Sequence, residues 1–196
     1  MLPRSSPRRV AAFALLVPLL ALGPASCGGS GSNWLRVQSD AALLEPTIQT
    51  AVYRFSDENT ADLYLSDLPE DVLLARLRAG PAGPPASVVH IHMFLYPKAG
   101  RTPIDFTASN VSINYVVLTG SAVGVYGGGG FLLPGAYLGE SELTGEIQSA
   151  TLRLTHAQPG FEDRLGLPEL YSEVSARMDD QLASDISSEL VFLMPR

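Results

Sequence analysis

With a single cysteine, Cys27, the chain cannot close an internal disulfide. Lysine is just as scarce, Lys98 being the only one. Downstream of residue 26, ten basic residues scattered from Arg36 to Arg196 face all twenty acidic ones, which leaves that part of the chain at −10. Recognition of phosphate needs clustered Lys and Arg, so nucleic acid and anionic lipid are excluded as charge-driven partners. The longest apolar run, Val10 to Leu22, has thirteen residues and contains Pro18. A membrane-spanning helix needs about 20. Also absent are a Gly-x-Ser-x-Gly elbow, a His-Glu-x-x-His helix and any repeat of the length that builds propellers or solenoids.

What is present begins at the N-terminus. Arg4, Arg8 and Arg9 precede the short apolar run, and the small residues Gly23, Ala25 and Ser26 lead to Cys27. This is the layout of an export signal. Ala25-Ser26-Cys27 resembles the end of a bacterial lipoprotein signal, although Pro24 stands where such signals carry a branched aliphatic residue. The resemblance implies lipid attachment at Cys27 and a place in the bacterial cell envelope, facing the periplasm or the exterior. Gly28 rather than aspartate after the cysteine favours the outer membrane. Cleavage after Ala25 by ordinary signal peptidase is the alternative, and the Arg8-Arg9 pair raises twin-arginine export beside the general route. Gly28 to Ser32 read as a flexible tether. The expected organisation is a signal over 1–26, a tether over 27–33 and one domain over 34–196.

The domain reads as β. Ser87 to Tyr96 alternates strictly, with Val89, Ile91, Met93 and Leu95 on a core face and His90, His92, Phe94 and Tyr96 on the other. Ile48 to Phe55 and Ala61 to Leu65 read as a hairpin, and Asn110 to Thr119, Gly145 to Thr155 and Leu170 to Met178 read as further strands. Residues 33 to 47 fit a short helix or an edge strand equally. A helix is expected over Pro69 to Ala79 with Asp67 as cap. Another is expected at the C-terminus, capped by Asp179 or Asp180, with Leu182, Ile186 and Leu190 inward. The gaps between strands are too short or too glycine-rich for parallel crossovers. The pattern predicts an antiparallel β-sandwich with one or two peripheral helices.

Four features bear on function. His90 and His92 lie two apart on a strand, so they share a face and are spaced to hold one metal ion, with His156 joining if its strand is adjacent and an unidentified carboxylate completing the set. The competing reading is a pair of half-exposed histidines filling space beside Phe94 and Tyr96. Gly127 to Gly130 reads as a loop or bulged hairpin between two strands. It lacks the Lys-Ser/Thr ending of a phosphate loop, and its flanking Tyr126 and Phe131 are candidates for contact with a partner. Asp57 to Asp62 offers oxygen ligands for calcium, or is simply a solvated turn. The carboxylate pairs Glu70-Asp71, Glu162-Asp163 and Asp179-Asp180 form no catalytic dyad by their spacing. The expected function is a non-catalytic binding or structural role on a lipid anchor in the envelope, needing no cofactor, with another envelope protein as the partner. The alternative is a metal-binding protein or metal-dependent hydrolase using His90 and His92.

Overall fold

Successive side chains of a strand face opposite sides, so a sheet whose two faces are both covered needs apolar residues on each. A computed structural model describes residues 33–98, 100 and 108–194. Cys27, the expected signal and the expected tether up to residue 32 lie outside the described residues; Asn33, assigned to the tether, is instead held to the fold by Ser175, donating to its carbonyl at 3.0 Å and accepting from its N–H at 2.6 Å. In chain order the elements are β1 (Trp34–Gln38), β2 (Leu43–Leu44), β3 (Thr50–Phe55), β4 (Ala61–Ser66), α1 (Glu70–Ala79), β5 (Ala86–Met93), β6 (Val111–Leu118), β7 (Val123–Pro134), β8 (Glu142–Ala157), β9 (Glu169–Met178) and α2 (Asp180–Leu193). The fold is mainly antiparallel β with peripheral helices, one of them C-terminal, as the alternation predicts. None of the described helices is long and apolar enough to cross a membrane.

All the strands join one sheet in the order β2-β1-β9-β3-β4-β5-β6-β7-β8. Strand β9 also pairs with β8, from Glu142↔Arg177 to Thr151↔Glu169, so the sheet closes on itself. Its two halves face each other across the core as the layers of a sandwich do. Neighbours are antiparallel except β3 and β9, which run parallel at Val52↔Arg177 and Tyr53↔Met178. Inside the closed sheet lie Leu63, Leu65, Val89, Ile91, Met93, Ile113, Tyr115, Tyr126 and Leu152. Outside it, Val52, Tyr64, Val88, Val116 and Val125 pack under Leu73 and Leu77 of α1 and Ala183, Ile186 and Leu190 of α2. Strands β4 to β7 are thus covered on both faces where the helices lie.

Several local readings change. Of the two readings for residues 33–47, the strand holds over the helix, with β1 and, at the edge of the sheet, β2. Leu95 is exposed because β5 ends at Met93. Helix α1 is preceded by Pro69 with no side-chain cap, and Asp67 instead accepts from the Ser87 backbone N–H at 2.9 Å. The four glycines are not a loop. They form the middle of β7, paired on one edge with β6 and on the other with β8. A Cβ on Gly128 would lie 2.0 Å from the Thr151 carbonyl oxygen, and one on Gly130 would lie 2.6 Å from the Ala150 Cβ. Glycine is required because the neighbouring strand approaches too closely for a side chain. A bulge follows between Gly130 and Leu132, held by buried Asn110, which donates to the Leu132 carbonyl at 2.9 Å and accepts from the Leu132 N–H at 2.7 Å.

Two outcomes test this packing. Gly128→Ala should destabilise the domain by about 1–3 kcal/mol in urea unfolding, since backbone and not a movable side-chain tip blocks the methyl group; an unchanged midpoint would contradict the close approach. Asp179 caps α2 by accepting from the Leu182 N–H at 2.9 Å, and this bond, reinforced by Arg177, holds its carboxyl below the ordinary value. Asp179→Ala should cost about 1 kcal/mol at neutral pH. A depressed carboxyl contributes stability above its unfolded value and loses it as the pH falls through the folded one. The gap between wild type and variant should therefore narrow in acid unfolding and persist at neutral pH.

Candidate metal centre

The outward positions of β4 and β5 are set by the inward ones. With Ala61, Leu63 and Leu65 buried in the core, Asp62 points out; with Val89, Ile91 and Met93 buried, His90 and His92 point out beside it. The register sets Asp62 directly opposite His92, and Tyr64 opposite His90. Asp62 Oδ1 lies 2.9 Å from His90 Nε2 and 2.9 Å from His92 Nδ1. One ligand atom from each of the three residues falls within 4.8 Å of the others.

Neighbouring groups fix the cluster. Arg54 on β3, opposite Asp62 in the register, donates from Nη2 at 3.2 Å to Oδ2, so the two carboxylate oxygens have separate tasks. The His90 ring lies flat on Tyr64, with centroids 4.8 Å apart and planes 6° apart. Its Nδ1 is buried without a hydrogen bond, so stacking rather than a second hydrogen bond orients this ring. Burial alone would raise the Asp62 carboxyl, but hydrogen bonds and charge from His90 and His92 outweigh it and drive the group far below the usual carboxylate range. The carboxylate is therefore ionised at any physiological pH. The side chains of Asp62 and His90 are 13% and 17% exposed while His92 is 38% exposed, so the cluster opens to solvent past His92.

Two histidines and a carboxylate form a donor set that suits zinc, copper, nickel or ferrous iron better than calcium or magnesium, which prefer oxygen alone. Three protein ligands also leave a position open for water or another ligand.

The pairing of His90 with His92 on one face is as expected. His156 does not join them: it sits on β8, with β6 and β7 between it and β5. The third member of the cluster is Asp62, at the end of the acidic stretch read for calcium. Its signal was parity, since Asp62 alternates with three apolar neighbours and must face outward. Asp57 serves the turn instead, accepting from the N–H groups of Asn59 and Thr60 at 2.8 and 2.9 Å. Tyr126 is corrected as a partner contact. Being part of a central strand, it is fully buried and donates to Asp163 Oδ1 at 2.6 Å. Phe131, at the bulge of β7, is partly buried, so the two do not form an exposed pair on a loop.

No family model, curated protein or solved structure matches this chain.

Asp163 also accepts from the N–H groups of Leu165 and Gly166, so Tyr126 ties the segment before β9 to the core. Tyr126→Phe should lower stability by about 1–2 kcal/mol, since it leaves a carboxylate short of a donor, and should speed amide exchange at Leu165 and Gly166. Unchanged exchange at those two amides would show that the tyrosine does not hold the segment.

Proposed function

We propose that this is a bacterial envelope protein, anchored through lipid on Cys27, whose domain binds one divalent transition-metal ion through Asp62, His90 and His92. The observation that carries the metal reading is the convergence of three ligand atoms from two adjacent strands within 4.8 Å. Cross-strand geometry makes the convergence firm, because directly opposed side chains have Cβ atoms only about 4.5–5.5 Å apart. Arg54 supports monodentate binding by holding Oδ2, while Oδ1 faces the two ring nitrogens, whose hydrogen bonds to it an ion would replace. The anchor reading rests on Ala25-Ser26-Cys27 and on the glycine-serine tether that would let the domain stand off the membrane. The role is binding, as a carrier or sink for the ion.

One observation favours a second reading, metal-dependent hydrolysis. The open side of the cluster lies past half-exposed His92, where a metal-bound water would meet substrate. The two readings share the site and differ in turnover.

Titration of tag-free full chain with zinc, followed by calorimetry and metal analysis, should give one equivalent bound. Asp62→Asn and His92→Ala should each weaken binding by at least about tenfold, and His156→Ala should leave it unchanged. A preparation that takes up no zinc, copper, nickel or ferrous iron, or one whose affinity ignores both substitutions, would end the metal reading. Hydrolysis of an activated phosphodiester or ester by the loaded wild type, abolished in His92→Ala, would move the assignment to the second reading.

A further inference from the structure

The closed sheet has a second functional feature, at the end of β4 and β5 remote from the metal centre. There the core is open. A cavity of about 870 Å³ enters between β2, the end of β6 and the segment leading into β9. Its size lies within the range of small-molecule sites, and the mouth of a closed sheet is a common place for one.

One accessible aromatic ring stands at the mouth, that of partly buried Phe161, which meets Tyr126 edge-on at 6.3 Å. Tyr115 and Tyr126, with centroids 6.4 Å apart, lie buried behind it as the floor. Phe161 packs directly over Gly124, where an added Cβ would come within 2.1 Å of the ring. That glycine gives the aromatic side chain its seat at the mouth.

The charges lining the cavity are unbalanced. Glu45, Asp67 and Glu162 face one arginine, Arg164, and Arg164 is already paired with Glu162 at 2.8 Å. Glu45 is paired outside the cavity with Arg36. Asp67 is different: half-buried, it accepts from the Ser87 N–H at 2.9 Å and the Ser87 hydroxyl at 3.2 Å, and among the described residues no cation pairs with it. Burial pushes the nearby Tyr115 hydroxyl up to about 12, and the Asp67 carboxylate acts in the same direction. A half-buried carboxylate with no cation paired to it among the described residues, in a cavity that also carries an accessible aromatic ring, suits a positive charge attached to an apolar body, since the faces of aromatic rings are electronegative.

We propose that this mouth is a binding site for a small organic cation, an ammonium group carried on an apolar or aromatic body, with Asp67 meeting the charge and Phe161, Leu43 and Leu44 packing against the body. The site is independent of Asp62, His90 and His92, and its occupancy does not require a metal.

The test is calorimetric titration of the full chain with benzyltrimethylammonium, with benzyl alcohol as the neutral probe and phenylacetate as the anionic one. The cation should bind at least about tenfold more tightly than either. Asp67→Asn, which keeps an oxygen for the Ser87 N–H, should remove that preference while thermal unfolding stays near wild type. Phe161→Ala should weaken the cation and the neutral probe alike. Equal affinity for all three probes, no saturable binding of the cation, or cation binding untouched by both substitutions would overturn the proposal. If Asp67→Asn fails to fold, the probe series on wild type together with Phe161→Ala still decides it.

Discussion

Closure of the sheet through β9 is the constraint on which the other features depend. This strand hydrogen-bonds to β8 along one edge, and along the other to β1 near its start and to β3 near its end. A strand edge left unpaired is a template for association with other chains, and closure removes it. The join with β3 is only two residues long, Arg177 and Met178, yet it brings the first and last strands of the ring together. It is reinforced next to the strand: Arg177 ion-pairs with Glu70 of α1 and with Asp179 at the start of α2, and the Asp179 N–H donates to the Tyr53 carbonyl. The turn into the last helix is thereby built onto the seam.

Once closed, the sheet has an inside and an outside, and each supports a different chemistry. The inside is filled by branched aliphatics and tyrosines and thins out only at the mouth around Phe161. The outside is apolar under α1 and α2, and polar where they do not reach. The row Arg54, Asp62, His92 and Ser112 runs across four strands in register on that uncovered side. Each member stands opposite the next, so the cluster's geometry follows from backbone pairing and does not rely on loops. A site built this way has little freedom to spread, which suits an ion that demands fixed distances.

Strand positions and the core face of β5 were legible because Val89, Ile91 and Met93 alternate with polar residues, and α2 was legible from its cap and the four-residue spacing of Ile186 and Leu190. The glycine run was misread because four glycines carry no side-chain pattern to mark a strand. Their reason lies in the carbonyl and methyl groups of β8, which sequence spacing does not reveal. Two of the three members of the candidate cluster were visible as His90 and His92. The third depended on which strand lies beside β5, a fact of topology, and so His156 was considered while Asp62 was taken as part of a turn. The mouth was invisible for the same reason, since Leu43, Asp67 and Phe161 come from three separate segments.

The central claim is that Asp62, His90 and His92 together coordinate one ion. X-ray absorption at the zinc edge of the loaded full chain tests it most directly. The account predicts two imidazole nitrogens at about 2.0–2.1 Å with oxygen completing the shell, and loss of one imidazole in His92→Ala. A shell of oxygen alone, or an imidazole count unchanged by that substitution, would contradict it.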